Sequence, residues 1–209
     1  MKRSNVIVVG GPIASGKSTL VGSLDFVPIQ ELDPNDELQK ILLKKMYEGD
    51  KTAAQIFQLD IMLNRFDKYK KLANNDKTHV FDRFILEDKL FAHMLLGKNE
   101  IVWEYYESIW NDKMNEIVDE IGTPKLYILL TFDWKTFKER LFARNRQPEI
   151  ENFEKNENYF KSILEIYDSF MIDMFKKYEI PYVVVDVRDK NKIEVNEHVN
   201  KILKDRNFI

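Results

Sequence analysis

There is no cysteine among the 209 residues. Disulfides, thiolate metal sites and cysteine nucleophiles are therefore excluded together, and a reducing compartment fits. Glycine (7) and proline (6) are scarce, and we find no Gly/Pro/Ser-rich linker, no low-complexity tract and no internal repeat. Long apolar runs are missing too. The N-terminal Met1 to Asn5 leads only into Val6 to Val9 before glycine intervenes, whereas a signal peptide needs an apolar stretch of about 7–15 residues. Nothing approaches the roughly 20 apolar residues of a membrane span. The chain reads as soluble and cytoplasmic, with no membrane partner. Neither sign of charge dominates: the net charge is −3, without the basic excess of a protein built to bind bulk nucleic acid. A small anion held by a local basic cluster remains compatible with that balance. His79, His93 and His198 share no metal-ligand spacing, so no zinc site is expected.

What is present suffices for one compact domain spanning residues 1–209, since 44% of the residues are hydrophobic and 12% aromatic. Val6 to Val9 is a β-branched run closed by Gly10 and Gly11 and predicts a buried parallel strand. Further strands are predicted over Phe26 to Gln30, His79 to Asp82, Lys125 to Thr131 and Tyr182 to Asp186. Apolar residues recur at helical spacing over Ser18 to Leu24, Asp36 to Tyr47, Ala53 to Leu72, Leu86 to Leu96, Val102 to Ile121, Trp134 to Arg144, Tyr159 to Tyr178 and Ile193 to Leu203. Short strands alternating with helices imply an α/β fold, a five-stranded parallel sheet with helices on both faces.

The strongest signal is Gly11-Pro12-Ile13-Ala14-Ser15-Gly16-Lys17-Ser18, which fits G-x-x-x-x-G-K-[ST] at every fixed position. It follows a predicted strand and opens a predicted helix, the context the chemistry needs. Glycines let backbone N–H groups curl inward onto phosphate oxygens, and the helix presents its positive end to the anion. Lys17 can then reach the β- and γ-phosphates of ATP, and the Ser18 hydroxyl can bind Mg²⁺. Gly11, Ala14, Ser15, Gly16 and Thr19 complete the expected nucleotide cradle. No Asn-Lys-x-Asp guanine motif accompanies it; Asp189-Lys190-Asn191-Lys192 has the wrong order. A small chain with this loop near its N-terminus points to a kinase of nucleosides, nucleotides or metabolites.

Two further groups fit phosphoryl transfer. Asp82-Arg83 ends the third predicted strand, and the carboxyl edge of such a sheet borders the ligand crevice. Asp82 is placed to hold Mg²⁺, and Arg83 to reach the transferring group or the attacking oxygen. Arg140, Arg144 and Arg146 cluster in a chain otherwise rich in lysine. Arg140 and Arg144 share a helix face, and the pattern breaks at Pro148. Planar guanidinium forks suit phosphate, so a mobile lid over about 144–152 is expected, its arginines meeting ATP.

In this order, the phosphate loop, the Asp-Arg and the Arg-x-x-x-Arg-x-Arg lid resemble the deoxynucleoside kinase family, over residues 5 to about 186. The resemblance implies ATP-dependent phosphorylation of a deoxynucleoside 5′-hydroxyl and a homodimer. It also implies roles for further residues. Glu31 resembles the family's general base, and Phe57-Gln58 the pair that meets the base. Arg65 and Asp88 resemble the pair lining the base pocket, and Tyr47 with Glu149 the holders of the 3′-hydroxyl. The arginine-aspartate pair goes with purine and cytosine acceptance, so a purine deoxynucleoside is expected, narrowly ahead of deoxycytidine, with thymidine poor. There are departures: Asp82-Arg83-Phe84 stands for acid-Arg-Ser, Glu31-Leu32-Asp33 for Glu-Pro, and a tryptophan between the tyrosine and the Phe-Gln pair is missing. Asp33 is therefore an alternative base. From pattern alone, Gln58 equally fits a helix surface, Tyr47 and Phe57 fit a core, and Glu31 or Asp33 fits a helix cap. Trp103, Tyr106 and Trp110, and Tyr105 with Ile109, fall at helical spacing and face either the core or a partner subunit. Two other readings share these motifs: a nucleoside monophosphate kinase such as a thymidylate kinase, and a nucleotide-binding module without catalysis. An acid at Glu31 favours a hydroxyl acceptor over a phosphate acceptor.

Overall fold

The computed structural model describes residues 1–32 and 35–209; Asp33 lies outside them. The strands are β1 (Val6–Gly10), β2 (Val27–Ile29), β3 (His79–Asp82), β4 (Leu126–Thr131) and β5 (Tyr182–Asp186). They form one parallel sheet in the order β2-β3-β1-β4-β5. Between and around them run α1 (Lys17–Ser23), α2 (Glu37–Glu48), α3 (Lys51–Leu72), α4 (Ile85–Leu96) and α5 (Glu100–Glu116). There follow α6 (Trp134–Arg144), α7 (Gln147–Glu151), α8 (Phe153–Lys177) and α9 (Lys192–Asp205).

The alternation of side chains along β1 explains why helices cover both faces. Val6 and Val8 pack into one core with Phe66, Phe84, Trp110 and Tyr167, carried by α3, the β3–α4 junction, α5 and α8. Ile7 and Val9 enter the opposite core with Leu20, Val21, Val199 and Leu203 of α1 and α9. A strand buried on both faces cannot show a polar alternation, which is why Val6 to Val9 is uniformly apolar.

Helix ends follow side-chain caps. Asp36, Asp50 and Asp133 accept the N–H of Gln39, Ala53 and Thr136 at 3.0, 3.0 and 2.9 Å, opening α2, α3 and α6. Gly49 closes α2 in the left-handed conformation (φ 94°). The structure differs from the sequence reading at three helices, and for one of them the cause is plain. The long helix expected over Val102 to Ile121 ends at Glu116 and continues as one π turn, Ile117–Ile121. Helix α8 begins at Phe153, several residues before the expected Tyr159. Helix α7 was not expected, because Pro148 read as a break. A proline in the first turn loses no helical hydrogen bond, and Pro148 sits there.

Candidate active site

The carboxyl ends of β2, β3 and β1 meet at one edge of the sheet. Glu31 follows β2, Asp82 and Arg83 close β3, and Gly11 follows β1. In front of this edge lies a cavity of about 980 Å³, large enough for a nucleotide and a second small molecule. Its walls include every expected site residue except Gly11, Arg65 and Asp82, and these three are bonded to residues that do line it.

The phosphate loop leaves β1 at Gly10 and enters α1 at Lys17. Gly16 takes a left-handed φ of 92° at the start of α1, a conformation that favours glycine. Lys17 is buried, its Nζ donating to the carbonyls of Gly11 and Pro12 at 2.9 Å each and to Ser15 Oγ at 3.3 Å. Burial first, and then the Arg83 charge, lower its pKa to about 8, while Asp82, Glu87 and Glu31 oppose the shift. The ammonium thus stays largely protonated at neutral pH.

The Ser18 hydroxyl donates to Asp82 Oδ2. Among the described residues Asp82 Oδ1 is buried without a hydrogen-bond partner. Burial, followed by the Glu31 charge, raises the Asp82 pKa, against Lys17, Arg83 and the Ser18 hydrogen bond. An unpartnered carboxylate oxygen beside a hydroxyl is a hard-oxygen pair of the kind Mg²⁺ takes when phosphates and waters supply its remaining ligands. Among the described residues no cluster of three or more His, Cys, Asp or Glu could hold a metal alone.

Behind the loop runs a chain of alternating charge. Arg65 NH1 donates to Asp88 Oδ1, and Arg65 NH2 lies 3.2 Å from Glu31 Oε1. Arg83 Nε lies 2.8 Å from the same Glu31 oxygen, and Arg83 NH1 lies 2.7 Å from Glu87 Oε1. Withdrawal from water pushes Glu31 up, but the charges of Arg83, Arg65 and Lys17 outweigh it and hold the carboxyl at about 2. Burial drives Asp88 the other way, to about 6, despite Arg65. Among the described residues Asp88 Oδ2 and Arg65 Nε are buried without partners, so within them the pair has unused acceptor and donor capacity at this end of the cavity.

Phe57 and Gln58 line the cavity from α3, the Gln58 amide nitrogen 3.7 Å from Met46 Sδ. The structure thus buries Gln58 rather than leaving it on a helix surface. Tyr47 lies in the last turn of α2, buried, its phenol pKa raised by burial and then by the Glu149 charge. Glu149, on α7, is buried and paired with Arg144, with Arg146 3.9 Å away. Tyr47 and Glu149, far apart in sequence, therefore share one wall. Arg140 behaves differently from its neighbours. Its guanidinium donates to the carbonyls of Ser15 at 3.1 Å, Val187 at 2.6 Å and Lys190 at 3.1 Å, tying the phosphate loop to the β5–α9 turn.

The sequence reading missed two parts of this site. The turn carrying Lys190, Asn191 and Lys192 forms a wall of the cavity; its only legible sign was its position after the last strand. Glu87 is fully buried behind the loop, with Arg83, Phe84, Tyr127, Tyr167 and Gly11 as partners. Its spacing of four from Arg83 was the available hint.

The family model for deoxynucleoside kinases matches residues 7–208. The chain belongs to the deoxynucleoside kinase family. It is 31% identical to a deoxyguanosine kinase of Lactobacillus johnsonii, over 87% of this chain and 81% of that protein. An uncharacterized protein of Mycoplasma pneumoniae is 39% identical over 99% of this chain and 93% of its own. In fold, the chain is similar to deoxyadenosine kinase from M. mycoides with bound dATP, at a TM-score of 0.72 and 21% identity, covering 95% and 99% of the two chains. As a member of this family the protein is a kinase that transfers phosphate to a nucleoside, and the family uses ATP. The readings as a nucleoside monophosphate kinase and as a non-catalytic module give way to that assignment. Among the described residues no helix is long and apolar enough to cross a membrane.

Proposed function

We propose that this deoxynucleoside kinase phosphorylates the 5′-hydroxyl of a purine deoxynucleoside, deoxyadenosine or deoxyguanosine, with ATP and Mg²⁺. The observation that carries the reading is the buried Arg65–Asp88 pair, with an unpartnered acceptor at Asp88 Oδ2. Asp88 accepts from an exocyclic amino group, which thymine lacks. A buried charged acceptor left unsatisfied costs roughly 1–3 kcal/mol, about tenfold to a hundredfold in preference. The kinship with the L. johnsonii deoxyguanosine kinase, and with a deoxyadenosine kinase of Dictyostelium discoideum at 23% identity, supports a purine.

In this reading the substrate's base rests against Phe57 and Gln58, and Tyr47 with Glu149 holds its 3′-hydroxyl. Glu31, anionic because two guanidiniums lie on it, receives the proton of the 5′-hydroxyl. Arg83 stands between that hydroxyl and the phosphate loop, where it stabilises negative charge on the transferring group. Lys17 and the loop's N–H groups hold the ATP phosphates, with Arg144 and Arg146 closing over them from a lid at 144–152. Asp82 and Ser18 hold Mg²⁺, which supplies charge neutralisation at the phosphates. The enzyme works as a single-domain cytoplasmic homodimer and needs no nucleic acid or membrane partner.

The test is a substrate panel: ADP release with ATP, Mg²⁺ and each of the four natural deoxynucleosides. The expected order places deoxyadenosine or deoxyguanosine first and thymidine last. A catalytic efficiency for thymidine equal to or above both purines overturns the assignment.

A further inference from the structure

Two parts of the site come from distant places in the chain yet must keep a fixed separation: the first turn of the phosphate loop and the guanidinium of Arg83. Gly11 donates its N–H to Tyr167 Oη at 3.0 Å and to Glu87 Oε1 at 3.3 Å, and its carbonyl accepts from Arg83 NH1 at 3.0 Å. The same Glu87 oxygen accepts from Arg83 NH1 at 2.7 Å and from the Tyr167 hydroxyl. The other oxygen, Oε2, accepts from Tyr127 Oη at 2.9 Å and from the Phe84 N–H at 3.2 Å. Glu87 is fully buried and outside the cavity wall, so it touches neither substrate directly.

Among the described residues every hydrogen-bond partner of this carboxylate is a donor. Burial, followed by the Glu87 charge, raises both tyrosine pKa values well above their ordinary value, so the phenols stay protonated and donate. Gly10 makes the arrangement possible, because a Cβ there would overlap the Tyr127 ring and hydroxyl. Arg83 also needs holding. It is a non-glycine residue at φ 75°, a left-handed backbone that persists only where its surroundings fix it. Glu31 lies on one side of its guanidinium, Glu87 on the other, and the Phe91 ring 4.8 Å from its carbon.

We propose that Glu87 is a positioning residue for phosphoryl transfer, locking Arg83 and the Gly11 end of the phosphate loop into one rigid unit, with Tyr127 and Tyr167 holding Glu87 in place. The inference rests on the role given to Arg83 above. A carboxylate saturated by donors has a defined job: it sets where the Arg83 fork points relative to the phosphates. The base end of the cavity is held by Asp88 on Arg65, which among the described residues is linked to Arg83 only through Glu31. Loss of Glu87 therefore affects the transition state far more than deoxynucleoside binding.

Glu87→Gln tests this, since it keeps the shape but removes the charge and turns one acceptor into a donor among donors. A displacement of about 1 Å at a transferring group is worth on the order of 100-fold in rate. We expect kcat to fall by about tenfold to a hundredfold, while KM for the preferred deoxynucleoside stays within about threefold. The second measurement is a double-mutant cycle with Arg83→Lys. If Glu87 acts through Arg83, the combined loss in kcat is well below the product of the single losses, whereas a general weakening of the fold multiplies. An unchanged kcat, or losses that multiply, overturns the proposal. Should Glu87→Gln fail to fold, Tyr127→Phe and Tyr167→Phe each remove one donor to Glu87 and keep the ring. Each is then expected to lower kcat by severalfold with the same sub-multiplicative coupling to Arg83→Lys, and an unchanged kcat in both overturns it. The wild-type enzyme and Arg83→Lys alone separate the two levels. Absence of deoxynucleoside phosphorylation by the wild type, or full kcat in Arg83→Lys, strikes the site reading itself. An active wild type and an impaired Arg83→Lys beside a normal Glu87→Gln strike only the positioning role.

Discussion

Replacing Glu31 by Gln separates catalysis from architecture more cleanly than any other change at this site. The side chain is about one-third exposed to the cavity (31%), and its Oε1 is shared by Arg65 and Arg83. Removing the partner of a single buried charge typically costs about 3–5 kcal/mol. Here neither guanidinium is orphaned, because Arg65 keeps Asp88 and Arg83 keeps Glu87. The loss of stability should therefore fall below that range, and the protein should remain folded. Its pH dependence has a definite sign. The folded carboxyl is held near 2 against an ordinary 4.5, so the stability it contributes is fully present above 4.5 and disappears as pH falls towards 2. Melting curves of wild type and Glu31→Gln should differ by a constant amount from pH 5 to 8 and converge below pH 4.5. On activity, a positioned base is worth roughly 10²–10⁴-fold. A carboxylate near 2 is a weak proton acceptor, so the expectation sits at the low end, about 100-fold in kcat or roughly 2.7 kcal/mol of barrier. KM for the nucleoside should move little. The assay is steady-state ADP release at saturating ATP. A kcat within about threefold of wild type, or a loss confined to KM, refutes Glu31 as the base. If Asp33→Asn loses the rate instead, the base lies two residues further on.

The other substitutions follow from the same geometry. Lys17→Ala should lower turnover by orders of magnitude while leaving the fold intact; normal activity in a folded variant removes the phosphate-loop assignment. Asp88→Asn should erase discrimination against thymidine, by about tenfold to a hundredfold in relative kcat/KM. Because burial lifts Asp88 to about 6, kcat/KM for the purine deoxynucleosides should fall as pH drops through 6 in wild type, and this limb should be absent in Asp88→Asn. A wild-type profile flat from pH 5 to 7 speaks against an ionised Asp88 in the base pocket.

The strands and the phosphate loop were legible because each is a local pattern. A β-branched run that ends in two glycines and a G-x-x-x-x-G-K-S spacing need no knowledge of the rest of the chain. The surroundings of the arginine cluster were legible only in part. Arg140 and Arg144 share a helix face as the periodicity requires, but Arg140 is tied to the carbonyls of Val187 and Lys190, from a turn some fifty residues away. No spacing rule reveals a bond of that kind. The same limit hid Glu87. Its neighbours Tyr127 and Tyr167 come from β4 and α8, and only the strand order β3-β1-β4 brings them together. Tyr47 and Phe57 show the opposite case: both are buried as core residues would be, and both also line the cavity. Burial and ligand contact are not alternatives at the wall of a deep site, and pattern alone could not choose between them.

The charge balance of the site bears on why arginines gather over residues 140–146. Three cationic side chains, Lys17, Arg65 and Arg83, meet four carboxylates, Glu31, Asp82, Glu87 and Asp88, in and behind the cavity. Lys17 points into the phosphate loop, whereas both buried arginines are committed to carboxylates on two sides. This buried group carries no positive surplus, whereas the cavity wall around it adds Arg140, Arg144, Arg146, Lys190 and Lys192 against Glu149. Helix N–H groups supply only partial charge. The compensation comes from the rim of the cavity: Arg140 is fixed against the Ser15 carbonyl, Lys190 and Lys192 lie in the β5–α9 turn, and Arg146 is half exposed, 3.9 Å from Glu149. The buried centre of the site is thus close to charge balance, and the positive field that meets a polyphosphate arises at its rim.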